Sequence, residues 1–214
     1  MMKSRIIGLF VASSALLAAP GAALAGQPPM PNKWDTYTRE ITIDQNLPYM
    51  CDNPFIAARD TINQLDPNFQ IGSHWGPFSS GGESTLSYQP KGYGGSVTLA
   101  TTLKSYTGPG YFWESYGSLI DADIEVNADL IYWPATTDTM RSYDLHCDAS
   151  VQGAMTQWNA DYQSTLLHEL GHFSGMEHRT DTASGACVMH QQQARGTLRR
   201  AFCNDEKATF QTTY

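Results

Sequence analysis

The stretch "HELGHFSGMEH", residues 168–178, holds three of the chain's six histidines, with a glutamate beside the first. On an α-helix, residues four apart share a face with Cβ atoms about 5–6 Å apart, so His168 and His172 can grip one ion between them. His178 comes six residues after His172, and on a continuing helix it would be rotated roughly 240° away. For all three to meet, the helix must stop soon after Phe173 and the chain must turn back. Gly175 stands where that stop is needed, because glycine enters the left-handed conformation that ends helices at little steric cost. Gly171, inside the helix, costs about 1 kcal/mol against alanine and implies close packing at that point.

Three neutral imidazoles leave one tetrahedral position of a zinc ion open, as catalytic sites require. Water there is acidified toward a pKa of ~7, and Glu169 is placed to take its proton as it attacks a carbonyl. The pattern reads as metal-assisted amide hydrolysis, with His168, His172 and His178 as metal ligands and Glu169 as general base. Three solvated or core histidines are the plainer explanation, but they would not need this spacing or these glycines.

Working outward, the first 25 residues stand apart. Lys3 and Arg5 precede the apolar run "IIGLFVASSALLAA", and Ala23–Ala25 offers the small residues of a cleavage site. Residues 1–25 read as a secretory signal peptide. A membrane anchor is the alternative, but the run is shorter than the ~20 residues a span needs, and Pro20 and Gly21 follow it. Localisation is therefore expected to be secreted, extracellular or periplasmic, with no stable membrane insertion. Residues 26–35 form a Pro-rich tail or short pro-segment, and 36–214 a single catalytic domain. The 214 residues carry 21 acids against 13 Lys and Arg, a net charge of −8. Loss of the leader removes two of those cations, and an acidic surface argues against nucleic acid as a partner. The expected partner is a polypeptide substrate, and the expected state a monomer. Four cysteines in an exported chain favour two disulfides. Three pairings are possible, and Cys187–Cys203 with Cys51–Cys147 is favoured because the first of these closes a short local loop.

The fold class reads as α+β. "REITIDQNLPYM" (39–50) alternates apolar and polar residues as a strand does, and "DNPFIAARDTINQLDP" (52–67) changes to helical period. Asp52 or Asn53 can cap that helix, Pro54 suits its first turn, and Phe55, Ala58, Ile62 and Leu65 line one face. Between residues 70 and 135, "QIGSHWGPF", "STLSYQP", "SVTLATTLKSY" and "DADIEVNADLIYW" read as short strands between Gly and Pro punctuation. Helical period returns at "NADYQSTLLHELGHF" (159–173), with Asn159 as cap and Leu166, Leu170 and Phe173 facing the core. "NDEKATFQTTY" (204–214) reads as a short terminal helix begun by Asn204 or Asp205.

With these residues in place, the chain resembles the metzincin zinc endopeptidases, marked by H-E-x-x-H-x-x-G-x-x-H and a later methionine turn. "HELGHFSGMEH" fits every specified position, and "CVMHQ" supplies Met189 for the turn beneath the metal. Within that clan the closest likeness is to secreted bacterial matrixin-like proteases. It lies in "DYQSTLLHELGHFSGMEH", in "DADIEVN" with Trp133 after it, and in the ending "GTLRRAFCNDEKATFQTTY". The resemblance implies a zincin-like fold: a twisted, mostly parallel sheet with an antiparallel edge strand, two main helices, and a small C-terminal subdomain with a terminal helix. It also implies a substrate bound as an extended strand along a sheet edge. "SVTLATTLK" (96–104) precedes "DADIEVN" as that edge strand would, an interior strand being the alternative. Arg179 departs from the serine usual in matrixins. Met189–His190 is similar to the astacin turn, but Gln191 stands where astacins carry a ligating tyrosine, so no tyrosine ligand is assigned.

Other features are weighed against simpler readings. Cys51 as a latency thiolate on the zinc is outweighed by an even cysteine count. Asp35 in the tail could cap the zinc. Asp121, Asp123, Glu125, Asp129 and Asp144 offer the oxygens calcium takes, at no recognised loop spacing. A solvated acidic face explains them more simply, and calcium stays open because related proteases often carry it. His74 and His146 read as surface or hydrogen-bonded histidines, and Trp75 and Trp113 as core rather than carbohydrate platforms. Two other functions compete with a peptidase: a protease fold kept as a binding or adhesion module, and a zinc amidase acting on cell-wall peptides.

Overall fold

The computed structural model describes residues 30, 33–77, 84–91, 98–106, 118–131, 145–147, 159–179, 186–193 and 196–214. The expected leader, Trp113, Trp133 and Asp144 lie outside them. Five strands form one sheet: β1 (Thr38–Asp44), β2 (Gln70–Gly76), β3 (Thr85–Gln89), β4 (Ala100–Tyr106) and β5 (Leu119–Asn127). Their order is β2-β1-β3-β5-β4. β1 runs parallel to β2 and β3, and β3 parallel to β5, whereas β4 is antiparallel to β5. Three helices are described: α1 (Asp52–Asn63), α2 (Tyr162–Phe173) and α3 (Asn204–Thr213). A short parallel pair, β6 (Leu145–His146) and β7 (Ala160–Asp161), leads straight into α2. The mixed α and β composition, the mostly parallel sheet and its one antiparallel pair agree with expectation. β4 is an edge strand, so the interior alternative for 96–104 falls.

Burial follows each strand's place in the sheet. Central β1 buries Ile41, Thr42, Ile43 and Asp44 in succession, as a strand covered on both faces does. β5 instead alternates, with Ala122, Ile124 and Val126 buried and the acids between them less so. The apolar faces of these strands pack with Phe55, Ala58 and Ile62 of α1 and Leu166, Leu170 and Phe173 of α2 in one core. α2 lies between α1 and strands β4 and β5, which brings its histidine face beside the sheet edge.

Several local expectations are corrected. The helix α1 is preceded by a 3-10 turn, Tyr49–Cys51, that runs into it without a side-chain cap, so neither Asp52 nor Asn53 caps it. α2 is capped by Asp161, whose carboxylate accepts from Ser164 N at 2.9 Å, and not by Asn159. Arg200 grips the same carboxylate with two contacts of 2.6 and 2.9 Å. Trp75 is 48% exposed because β2 forms the far edge of the sheet, and His146 is buried. Both disulfides pair as expected, Cys51 with Cys147 and Cys187 with Cys203. Such bonds belong to oxidising compartments. No described helix is long and apolar enough to cross a membrane.

The carbonyl end of α2 is closed by two residues remote from it in sequence. Buried Trp34 donates its indole N–H to Phe173 O at 2.7 Å, and Tyr214 donates its hydroxyl to Ser174 O at 2.8 Å. Helix ends leave carbonyls without intrahelical partners, and these two donors satisfy them. Trp34→Phe keeps an aromatic ring but strands the Phe173 carbonyl. It should cost about 1–3 kcal/mol, the penalty for an unsatisfied buried acceptor. Thermal unfolding checks this, with an expected fall in Tm of several degrees.

Candidate metal centre

The histidine helix ends where the spacing required. The last helical residue is Phe173, and Gly175 follows with φ 97°, in the left-handed region. Gly175 N donates to His172 O and Met176 N to Gly171 O, both at 2.9 Å. This is the Schellman arrangement, and it reverses the chain within two residues. His178 swings back as a result, and the three Nε2 atoms converge. The separations are 3.2 Å for His168–His178, 3.2 Å for His168–His172 and 3.0 Å for His172–His178.

What holds the rings decides what the nitrogens can do. His168 Nδ1 lies 2.7 Å from Val188 O, and His172 Nδ1 lies 2.8 Å from Met176 O. A carbonyl only accepts, so each Nδ1 carries the proton and each Nε2 of a neutral ring is a bare lone pair. Burial, the leading cause in each case, lowers the pKa of all three imidazoles, and His172 falls well below the usual value. Two lone pairs facing each other at 3.2 Å repel unless a cation lies between them. Ligands about 2.0–2.1 Å from one tetrahedral ion would sit about 3.3 Å apart, close to the observed spacing. The three histidines could hold a metal ion. Their donor chemistry and geometry fit zinc.

Beneath the cluster, the turn at 187–189 presents the Val188 carbonyl to His168 and packs Met189 against Gly171. A Cβ on Gly171 would run into the Met189 thioether, which accounts for the glycine inside the helix. Met189 is fully buried. Its backbone N–H donates to Glu206 Oε1 at 2.8 Å, and Val188 N–H donates to Glu206 Oε2 at 3.3 Å. Arg179, next after the third histidine, reaches Asp205 at 2.7 Å. The roles of Glu206 and Asp205 were not anticipated. Their one signal was their position in the first turn of a helix that follows a cysteine.

Glu169 projects into the same cleft, a space of about 810 Å³ walled by β4 on one side and by α2 and residues 190–193 on the other. It is 6% exposed. Burial raises its pKa to about 7, against the opposing pull of the Thr102 hydroxyl and His178.

The other named candidates do not join this site. Asp35 bonds to Ser118. His74 contacts Thr42 at 3.1 Å. Asp121 accepts from Ser84, Asp123 from Thr85, and Glu125 pairs with Lys91. Among the described residues these carboxylates form no group at ligand spacing. Cys51 is held in its disulfide with Cys147. No protein-family model matches the chain, and no curated protein matches it.

Proposed function

We propose that the chain is an exported zinc endopeptidase of metzincin type. The observation that carries this reading is the pair of bare imidazole nitrogens facing each other at 3.2 Å, with a third beside them and a buried glutamate in the same cleft. Zinc held by His168, His172 and His178 would supply Lewis acidity toward a carbonyl and acidify water. The chain's own residues do the rest. Glu169 takes a proton from the attacking water and returns it to the leaving amine. β4, at the edge of the sheet that the described residues form, would offer main-chain hydrogen bonds to an extended peptide. Met189 forms the floor beneath the ligands, as the Met-turn does in the resembling family. The two disulfides support export, as does the reading of residues 1–25 as a signal peptide.

The test uses the mature protein with disulfides formed. It is expected to hold one zinc per chain and to cleave a quenched-peptide library. Removal of the metal with 1,10-phenanthroline should abolish cleavage, and added zinc should restore it where calcium does not. Zinc binding with no cleavage of any peptide would favour a binding module. Cleavage of cell-wall peptides alone would favour an amidase.

A further inference from the structure

Thr102 stands in the middle of β4, paired with Ile124 of β5. Directly opposed residues in an antiparallel pair point to the same face, Ile124 is fully buried in the core, and the Thr102 hydroxyl reaches Glu169 of α2. Thr102 therefore faces α2, whereas Leu103 turns outward and is 50% exposed. Its hydroxyl lies 2.6 Å from Glu169 Oε2 and 3.1 Å from Glu169 O. One hydroxyl has one hydrogen. The shorter contact has the length of a hydrogen bond to a charged oxygen, and an interior helical carbonyl already has its helical partner. The carboxylate therefore takes the hydrogen.

Among the described residues, no other side chain hydrogen-bonds that carboxylate, and the backbone N–H of Thr102 favours its charged form as well. Oε1 is not among the buried atoms without a partner, so it opens on the cleft that Glu169 lines. A β-branched residue suits a strand, but valine would serve that need equally well. The strand alone does not account for the hydroxyl.

We propose that Thr102 is a positioning residue for Glu169: from the edge strand, its hydroxyl pins Oε2 and leaves Oε1 to accept the proton. The inference rests on Glu169 being the general base proposed above. It also ties the strand that receives the peptide to the group that moves the proton, through one residue.

The test compares wild type with Thr102→Val, which keeps the volume, and Thr102→Ser, which keeps the hydroxyl. Crystal structures of the zinc-loaded proteins read the position of the carboxylate without any substrate. The carboxylate should coincide in wild type and T102S and be displaced in T102V. In kinetics, T102V should lose about 10–100-fold in kcat, the range for removal of a supporting group. Zinc content and KM should stay within about twofold, and T102S within about threefold of wild-type kcat. An unmoved carboxylate in T102V overturns the proposal, and so does an unchanged kcat in a wild type that cleaves. A zinc-loaded wild type that cuts nothing, with a displaced carboxylate in T102V, removes the peptidase reading and supports the positioning. Thr102→Ala replaces T102V if the valine variant does not fold.

Discussion

Glu169→Ala is expected to keep its zinc and to lose about 10²–10⁴-fold in peptide hydrolysis, the usual contribution of a positioned acid–base group. The two halves of this expectation come from different parts of the geometry. Zinc retention follows because Glu169 is not one of the converging donors. The rings of His168 and His172 are aimed by the carbonyls of Val188 and Met176, and neither bond involves Glu169. Fold retention follows because alanine is the best helix former and because the lost carboxylate is disfavoured by burial, which raises its pKa to about 7. The loss of rate follows because, among the described residues that line the cleft, Glu177 is the one other carboxylate, and Lys104 holds it at 2.6 Å. Zinc analysis and kcat/KM on the same preparation check the result. A variant within tenfold of wild-type activity would remove Glu169 as the base, and one that loses its zinc would make it part of the metal site.

The parts of the site that were legible in the sequence are those set by local rules. The histidine spacing is a helical-face argument, and the reversal at Gly175 is a backbone-conformation argument, so both can be made from eleven residues. The clash waiting at Gly171 was legible as close packing, though not as contact with Met189. The other failures share one cause: each depends on a partner remote in sequence. Asn159 and Asp161 are both good caps, and the choice between them follows from β7, which pairs Ala160–Asp161 with Leu145–His146. Trp75 reads as core until the sheet order places β2 at an edge. Thr102 reads as an ordinary strand residue, and only the fold brings it across 67 positions to Glu169. Glu206 carries no signal beyond its place near a helix start, yet its exposure is 0%.

That buried carboxylate carries the second large effect. Glu206 Oε1 accepts from Met189 N at 2.8 Å, and Oε2 accepts from Cys203 N at 2.8 Å and Val188 N at 3.3 Å. Glu206→Ala leaves three backbone donors without their acceptor in a site that water does not reach. It also removes the negative charge 3.8 Å from the Arg179 guanidinium, although Asp205 remains to pair with it. Loss of one partner from a buried charged network costs about 3–5 kcal/mol. For a chain of this size that corresponds to a fall in Tm of roughly 10 °C. Glu206→Gln is not a mild substitute, because its amide can accept on one side only and would turn an NH2 toward an N–H on the other. The Cys187–Cys203 disulfide still ties the turn to the start of α3, so the fold should survive at room temperature, but the turn loses its register. Register matters because Val188 supplies the carbonyl that orients His168. Loss of an outer partner of a metal-ligating histidine typically weakens binding about 10–100-fold. The expected signature is therefore joint: a lower Tm in the metal-free protein, and a zinc dissociation constant raised about 10–100-fold in a competition titration. A lower Tm with unchanged zinc affinity would confine Glu206 to stability. Unchanged values of both would mean that the disulfide alone holds the turn beneath the histidines.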